Sequence, residues 1–440
     1  MNNYQTEFRF FKGKKLRARF NGGDISSDSG LPLIKEFENK IGLIKKATDS
    51  IEDKRDHRYI DHTLEEILNQ RIFQIIAGYE DCNDSDLLRK DSCFKAIAGR
   101  KQDDQDLSSQ PTLSRLENSI SRTDIVRLMK LLVNNFLDSF NSPPSKIVLD
   151  IDSTDDPTHG RQQMSLFHGY YHQYQYLPLI ISSNKHLLGA ILRRGTSGNG
   201  KHVNAFLKTL IPMIRIRFPK VKIIIRCDAG FSTPRFYEYL ESIDNLEYFV
   251  GIGGNAVLKE KSKAFRHIVL DQYKKTGEPQ RQFDAFQYGA TTWNKQRKVI
   301  VKAEFNDLGS NARYVVTNSS LETAESIYDY YADRGDSERW IGELKNGFKA
   351  DRLSCHRFIA NQFRLLLHGI AYEIMAMFNE KILEGTELFS QSIDTIRKKI
   401  IKVGAQITLT ARCLWFRLAS GYPFQKLFVQ LHKKILFYQH

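Results

Sequence analysis

The hydrophobic pattern of this 440-residue chain changes its period near residues 141–146, NSPPSK. From 59 to 140, apolar residues recur three and four positions apart, as they do on one face of a helix. After the break, short runs rich in β-branched residues replace them, as in strands. Two prolines in a polar stretch are typical of a connection between elements. The sequence therefore predicts a helical region followed by a region of mixed strands and helices.

The runs after the break occur in a defined order. KIVLDID, YLPLIIS and LLGAILRRG are three strands at hairpin distances, and VNAFLKTLIPMIRIRF is an amphipathic helix. VKIIIRCD, PRFYEYLES and YFVGIGG follow as strand, helix and strand. Three antiparallel strands, then helix, strand, helix and strand, are the order of an RNase H-like α/β core. Residues 255–320 interrupt that core with polar sequence and further strands, KVIVKAEF and RYVVTN, which we interpret as a β-rich insertion.

Composition narrows the class of protein. Lys and Arg number 65 against 51 Asp and Glu, giving a net charge of +14, which is common among proteins that meet phosphate backbones. The five cysteines are scattered without a CxxC pair, so neither a disulfide framework nor a zinc ribbon is expected. No apolar run approaches the roughly 20 residues of a membrane span, and the first residues lack a signal peptide. We expect a cytoplasmic protein with no membrane partner.

Acidic residues end two of the predicted strands. Asp150 and Asp152 stand two apart in IVLDIDST, so both side chains leave the same face of their strand. Asp228 ends the apolar run IIIRCD, where a buried charge would be costly unless it faced a cleft or a partner. Metal-dependent nucleases place carboxylates in this way around two magnesium ions.

Helix geometry selects a third carboxylate between 321 and 350. At about 100° per residue, Tyr331, Arg334, Glu338 and Lys345 fall within an arc of about 60°. The neighbouring acids, Asp333, Asp336 and Glu343, lie on other faces. Glu338 is thus the only acid on a stripe whose other groups suit phosphate contact. Stripes of mixed charge are more often solvated surface. The spacing therefore indicates a functional site only together with the acids that precede it in the sequence.

The spacing Y-x2-R-x3-E-x6-K, met by Tyr331, Arg334, Glu338 and Lys345, resembles the Tyr-Arg-Glu-Lys signature of bacterial DDE transposases of insertion-sequence family 4 and its relatives. LDIDSTDDPTHG, LRRGTSGNG, RCDAGF and QPTLSRLEN resemble more specifically the insertion-sequence 1380 family. The resemblance covers roughly residues 15–430.

The resemblance implies that Asp152, Asp228 and Glu338 form the DDE triad and hold two Mg²⁺ ions, with Mn²⁺ as a possible substitute. It prefers Asp152 to Asp150, because Asp152 is the acid in the Asp-Ser-Thr context. Tyr331, Arg334 and Lys345 would contact phosphates of the transposon end. In hairpin-forming relatives an aromatic residue of the insertion stacks on or replaces a flipped base, and Trp293 is the candidate here.

The implied function is that of an insertion-sequence transposase. It would cut double-stranded DNA at the inverted repeats and transfer the freed ends into target DNA, as a homodimer in the synaptic complex, in a bacterial cytoplasm beside the nucleoid. The expected layout is a mainly helical DNA-binding domain (1–140), the first part of the core (141–254), the insertion (255–320), the catalytic helix (321–350) and a helical C-terminal region (351–440).

Two alternatives stay open from the sequence. One is an RNase H-like nuclease or resolvase that cuts without joining, and the other is a domesticated, non-catalytic DNA-binding protein. Three histidines, His159, His168 and His172, lack zinc-ligand spacing with any cysteine or further acid, so we interpret them as polar loop or DNA-facing residues.

Overall fold

The chain is described from a computed structural model, which covers residues 5–10, 12–198 and 200–438. Two compact units divide it. The helical unit comprises residues 1–128, 343–350 and 366–440, and the sheet unit comprises residues 129–342 and 351–365. No helix within the described ranges is both long and apolar enough to cross a bilayer.

The N-terminal region begins with short strands and continues as helices, in the order β1 (Gln5–Phe8), β2 (Leu16–Arg19), β3 (Ile25–Ser26), α1 (Leu31–Ile41), α2 (Leu43–Asp49), α3 (Leu64–Ala77), α4 (Ser85–Leu88), α5 (Ser92–Ile97), α6 (Gln110–Ser119) and α7 (Arg122–Asp138). The predicted helices between 59 and 140 are confirmed. Helix α3 starts at a capping box, in which Thr63 and Glu66 each accept a hydrogen bond from the other's backbone N–H. The sequence did not predict α1, whose first turn contains Pro32 and whose buried face carries Ile34 and Phe37.

The sheet unit alternates strands and helices, in the order β4 (Lys146–Ser153), β5 (Asp156–Pro157), β6 (Leu166–His168), β7 (Gln173–Tyr176), β8 (Leu179–Ser183), β9 (His186–Ile191), α8 (Val203–Arg217), β10 (Lys222–Cys227), α9 (Pro234–Glu241), β11 (Leu246–Ile252), α10 (Ala256–Lys261), α11 (Lys263–Thr276), β12 (Gln280–Tyr288), β13 (Arg297–Asn306), β14 (Gly309–Thr317), α12 (Ala324–Ala332) and α13 (Gly335–Gly342). The elements predicted between 146 and 252 occur in the predicted order, but β5, β6 and β7, which lie between the first two of them, were not predicted. Strands β5, β7 and β6 form a separate small sheet inserted between β4 and β8.

One mixed sheet of eight strands organises this unit, in the order β12-β13-β14-β11-β10-β4-β8-β9. Strands β4, β10 and β11 run parallel, and β8 and β9 pair antiparallel on one side of them. The strands expected between 255 and 320 are confirmed as β13 and β14, and β14 joins the same sheet beside β11. Helices α10 and α11 were not predicted there, and each of them buries one side chain, Leu258 in α10 and Val269 in α11.

The two faces of the sheet bury different partners. Ile147, Leu149 and Ile151 of β4 pack on the side of α8 and α9. On the opposite face, Ile224 of β10 packs with Ile327 of α12. Because side chains alternate along a strand, Asp150 and Asp152 of β4 lie on the α12 face, near the carboxyl ends of the parallel strands.

The C-terminal region contains α14 (Phe358–Phe378), α15 (Ile393–Ile396), β15 (Ala405–Leu409), β16 (Leu414–Leu418) and α16 (Gln425–Phe437), with π-helical turns at Glu343–Gly347, Asn379–Leu383 and Arg397–Ile401. The region after 351, expected to be helical, also contains two strands that were not predicted, since β15 pairs with β16 and with β3. Buried Ala405 and Ile407 alternate with exposed Gln406, a two-residue period too short to stand out in the sequence.

Candidate active site

Two of the predicted carboxylates lie at the ends of neighbouring parallel strands. The register of β4 against β10 pairs Ile151 with Cys227, and Asp152 and Asp228 are the next residues on the two strands. Asp228 caps the 3₁₀ turn Ala229–Phe231 and accepts a hydrogen bond from the N–H of Gly230 at 2.8 Å. The fold thus brings together two acids that are far apart in the sequence.

The first of these acids, Asp152, is buried and has a raised pKa. Its carboxylate accepts from its neighbour's N–H, that of Ser153, at 2.8 Å, and its side chain is only 14% exposed. Burial raises the pKa of Asp152 to about 6, and the negative charges of Asp228 and Glu338 add to the rise while Arg334 opposes it. Acids with raised pKa values beside other acids are characteristic of functional sites.

Asp150 has a different environment from Asp152, although both face α12. Both Asp150 oxygens accept hydrogen bonds from the guanidinium of Arg226, at 2.7 and 2.8 Å. The pair is buried, Asp150 being 3% exposed, and Arg226 also donates to the carbonyl of Tyr330 in α12. Burial raises the pKa of Asp150, and the bonds from Arg226 oppose that rise. Asp150 therefore ties β4 to β10 and α12.

Arg334 links the third predicted carboxylate to the first. One guanidinium nitrogen donates to Asp152 at 3.2 Å and the other donates to Glu338 at 3.2 Å. The side chain of Glu338 is 64% exposed, so its carboxylate is held at the surface mainly by this contact. Arg334 thus stands between two acids that would otherwise repel each other.

The helix that carries these residues is not continuous, which corrects the sequence analysis. Helix α12 ends at Ala332, α13 begins at Gly335, and Arg334 lies in the turn between them. Even so, Tyr331, Arg334 and Glu338 line one cleft of about 360 Å³. The break has a local cause, because Gly335 follows Arg334 directly and glycine is unfavourable within a helix.

Tyr331 lies against the strand beside Asp228. A Cβ placed on Gly251 of β11 would come within 2.6 Å of the Tyr331 hydroxyl and 3.0 Å of the backbone nitrogen of Ala229. Only glycine therefore leaves room for the phenol at this point. Burial raises the pKa of Tyr331, so the phenol stays protonated at neutral pH and can donate a hydrogen bond.

Two other predicted residues do not line this cleft. Lys345 is in the π-helical turn Glu343–Gly347, whose residues belong to the helical unit. The ring of Trp293 is half-buried and contacts Tyr237 at 5.1 Å, Tyr288 at 5.4 Å and the guanidinium of Arg297 at 5.1 Å. A side chain packed on three sides has little freedom to stack on a base, so the surroundings of Trp293 do not support the role expected for it.

The carboxylates have the chemistry of a magnesium site but do not converge on one point. Asp152, Asp228 and Glu338 offer only carboxylate oxygens, the ligands that Mg²⁺ prefers. Within the described ranges, no three His, Cys, Asp or Glu side chains are close enough to hold a metal ion. The guanidinium of Arg334 is the positive charge between Asp152 and Glu338. The donor set fits a divalent cation provided that Arg334 releases Glu338.

Sequence reasoning missed two residues that shape the site. Arg226 is the one charge within the apolar run IIIRC, and its register opposite Asp150 identifies its partner. Gly251 lies in GIGG, which lacks the remainder of a nucleotide-binding fingerprint, and its role is to admit Tyr331.

Comparison with known proteins assigns the chain to a family. A family profile described as "Transposase DDE domain group 1" matches residues 8–439. No curated protein sequence matches the chain. A cryo-EM structure of a piggyBac transposase synaptic complex with hairpin DNA is similar, with a TM-score of 0.43 and 12% identity, over 86% of this chain and 80% of that chain. Since the profile spans nearly all 440 residues, the chain belongs to the family of transposase DDE domains, group 1.

Proposed function

We propose that the chain is a DNA transposase that cuts phosphodiester bonds at the ends of its element and joins the freed ends to target DNA. The observation that carries the proposal is the pair Asp152 and Asp228 at the ends of two parallel strands, with Arg334 connecting Asp152 to Glu338. Membership of the DDE transposase family supports it. The strand order β9-β8-β4-β10-β11, with α8 and α9 between strands, supports an RNase H-like core.

We infer that Asp152, Asp228 and Glu338 hold two Mg²⁺ ions, with Mn²⁺ as a substitute. Such ions, when bound, activate the attacking oxygen and stabilise the leaving one. Glu338 is exposed and lines the cleft, and Asp228 is half-buried next to Ala229, which lines the cleft as well. Binding a cation would also remove the repulsion among the three acids that contributes to the raised pKa of Asp152.

Arg334 and Tyr331 would position the DNA strand. A guanidinium forms paired hydrogen bonds with a phosphate as readily as with a carboxylate, so Arg334 can exchange Glu338 for a phosphate oxygen. The protonated phenol of Tyr331 would donate to the same phosphate group. The buried pair Asp150 and Arg226 would hold the strand ends in place beneath this contact.

In the first reaction, water would attack the phosphodiester at the element's end and release a 3′-hydroxyl. In the second, that hydroxyl would attack a phosphodiester of target DNA in line with its leaving oxygen. The net charge of +14 favours binding of both DNA molecules. We further propose that the N-terminal helices recognise the inverted repeats, that two copies of the chain bring two ends together, and that the element belongs to the insertion-sequence 1380 family of bacteria.

A joining assay tests the proposal. Duplexes taken from the DNA on either side of the reading frame, each ending in a 3′-hydroxyl, are mixed with supercoiled plasmid, Mg²⁺ and the full chain. We expect products in which the duplex is covalently joined to the plasmid, and none with the Asp228→Asn variant. Cleaved DNA without joined products would instead identify a nuclease or resolvase. Neither product, with DNA bound equally by both proteins, would identify a non-catalytic DNA-binding protein.

A further inference from the structure

An exposed group of aromatic side chains lies on the segment between β4 and β8. We call residues 156–176, which contain β5, β6 and β7, the aromatic ribbon. Its tip exposes four rings to solvent: Phe167 at 49%, Tyr170 at 82%, Tyr171 at 39% and Tyr174 at 61%. The rings contact each other edge to face, Phe167 with Tyr174 at 5.7 Å and Tyr170 with Tyr171 at 5.0 Å. Contiguous exposed apolar surface of this kind usually marks a binding site.

The base of the ribbon is anchored in the sheet unit. Tyr176 is fully buried, donates to the carbonyl of Gln163 at 2.7 Å and packs against Phe358. The backbone of Gly195 approaches so closely that a Cβ there would lie 2.2 Å from the carbonyl oxygen of Gln175. A fixed base presents the rings at the tip with little further loss of conformational freedom on binding.

The ribbon also lies close to the candidate carboxylates. Asp152 is in β4, which ends at Ser153, and β5 begins at Asp156. The return strand β7 leads directly into β8, the antiparallel partner of β4. Burial raises the pKa of Tyr171, and the charges of Asp155, Asp152 and Asp228 contribute to that rise, which places its hydroxyl within their electrostatic range.

The chemistry of the ribbon matches that of unpaired DNA bases. Every base has a flat π face, and aromatic side chains stack on such faces whatever the sequence. The ribbon also carries Arg161, whose charge favours the approach of a phosphate backbone, and three histidines, His159, His168 and His172, which can donate hydrogen bonds. The alternative stacking residue, Trp293, is already packed against three side chains.

We propose that Tyr170 and Tyr171 of the aromatic ribbon stack on unpaired bases of the DNA strand whose phosphate enters the carboxylate site. The inference rests on the proposed function for the identity of that strand. Stacking would hold the strand open next to the bond that is cut, and it would make frayed or unpaired DNA a better ligand than a closed duplex.

The test compares two probes: a fully paired duplex, and the same duplex extended by an unpaired arm. Dissociation constants are measured by fluorescence anisotropy on the full chain without divalent ions, so that no strand is cut. We expect wild type to bind the arm-containing probe more tightly. In the double variant Tyr170→Leu with Tyr171→Leu, this preference should fall about tenfold for each base–aromatic stack lost, so about 100-fold in all, with paired-duplex binding unchanged.

Two controls keep the test specific to the rings. The double variant Tyr170→Phe with Tyr171→Phe retains both rings and should retain the preference. Leu308→Ala removes a side chain that is 97% exposed in the turn between β13 and β14, away from any residue proposed to bind DNA, and should also leave it unchanged. An unaltered preference in the leucine variant, or its loss in the phenylalanine variant, would overturn the proposal. A leucine variant that changes only the oligomeric state would make the ribbon a self-association surface and overturn it as well.

Running the joining assay on the same proteins separates this inference from the proposed function. Joined products from wild type, together with no arm preference, would refute the ribbon alone. An arm preference that depends on the ribbon, together with joining that is unaffected by Asp228→Asn, would support the ribbon and refute the carboxylate site.

Discussion

Replacing Asp150 and Asp152 in turn should separate two acids that are adjacent on one strand face. Asp150→Ala leaves the guanidinium of Arg226, whose side chain is 10% exposed, without its bidentate partner. Removing one member of a buried ion pair costs about 3–5 kcal/mol. Asp333 lies 4.0 Å from Arg226 and can offset part of the loss, so we expect the free energy of unfolding to fall by about 3 kcal/mol.

Asp152→Asn should keep the stability of the chain but abolish its activity. Because the pKa of Asp152 is raised to about 6, its ionised form at neutral pH is less favourable in the folded chain than in the unfolded chain. A neutral amide removes that cost, so the free energy of unfolding should stay the same or rise by up to about 2 kcal/mol, while DNA joining is lost.

Urea unfolding followed by tryptophan fluorescence measures the stability of both variants, and the joining assay measures their activity. The matched pair is informative because the two residues share one strand and one face. The reasoning would be refuted if Asp150→Ala were as stable as wild type but inactive, since Asp150 would then belong to the metal ligands. It would equally be refuted by an Asp152→Asn variant that joins DNA normally.

Four further substitutions test the remaining candidate residues. Glu338→Gln should abolish joining, whereas Asp336→Asn, which removes an exposed acid of the same helix, should leave its rate within about twofold, as is usual for surface positions. Gly251→Ala would place a carbon 2.6 Å from the Tyr331 hydroxyl, so we expect joining to slow about 100-fold with little change in melting temperature; an unaffected rate would show that this position is unimportant. Trp293→Ala should lower the free energy of unfolding by about 3 kcal/mol, and lost joining with unchanged stability would restore its predicted contact with a base.

The order of β4, β8, β9, β10 and β11 follows from the sequence because each of these strands is a short, mostly apolar run. Strand β10 is an example. The run from Ile223 to Ile225 is fully apolar and predicts a buried strand, and Asp228 follows directly after the end of the strand. The sequence does not distinguish Asp150 from Asp152, because the distinction depends on which residue of β10 lies opposite each of them. Register is a tertiary property, and it places Arg226 opposite Asp150.

Helix geometry predicted Glu338 as the third acid by assuming one continuous helix, but the structure divides that helix in two. An ideal helix from Tyr331 onward would place four side chains on one face. The helix is instead interrupted at Arg334, and a π-helical turn follows at Glu343–Gly347. The stripe survives only from Tyr331 to Glu338, because those residues line the same cleft. Periodicity analysis assumes a regular helix, so it does not detect an interruption such as the one before Gly335.

Iron-mediated cleavage of the protein backbone would test the proposed metal site most directly. Fe²⁺ bound in place of Mg²⁺ generates hydroxyl radicals that cut the chain close to the bound ion, and mass spectrometry locates the cuts. If Asp152, Asp228 and Glu338 hold the ions, fragments should end within a few residues of all three positions, and added Mg²⁺ should suppress them. Cuts elsewhere, or cuts near these residues that Mg²⁺ does not suppress, would contradict the assignment of the active site.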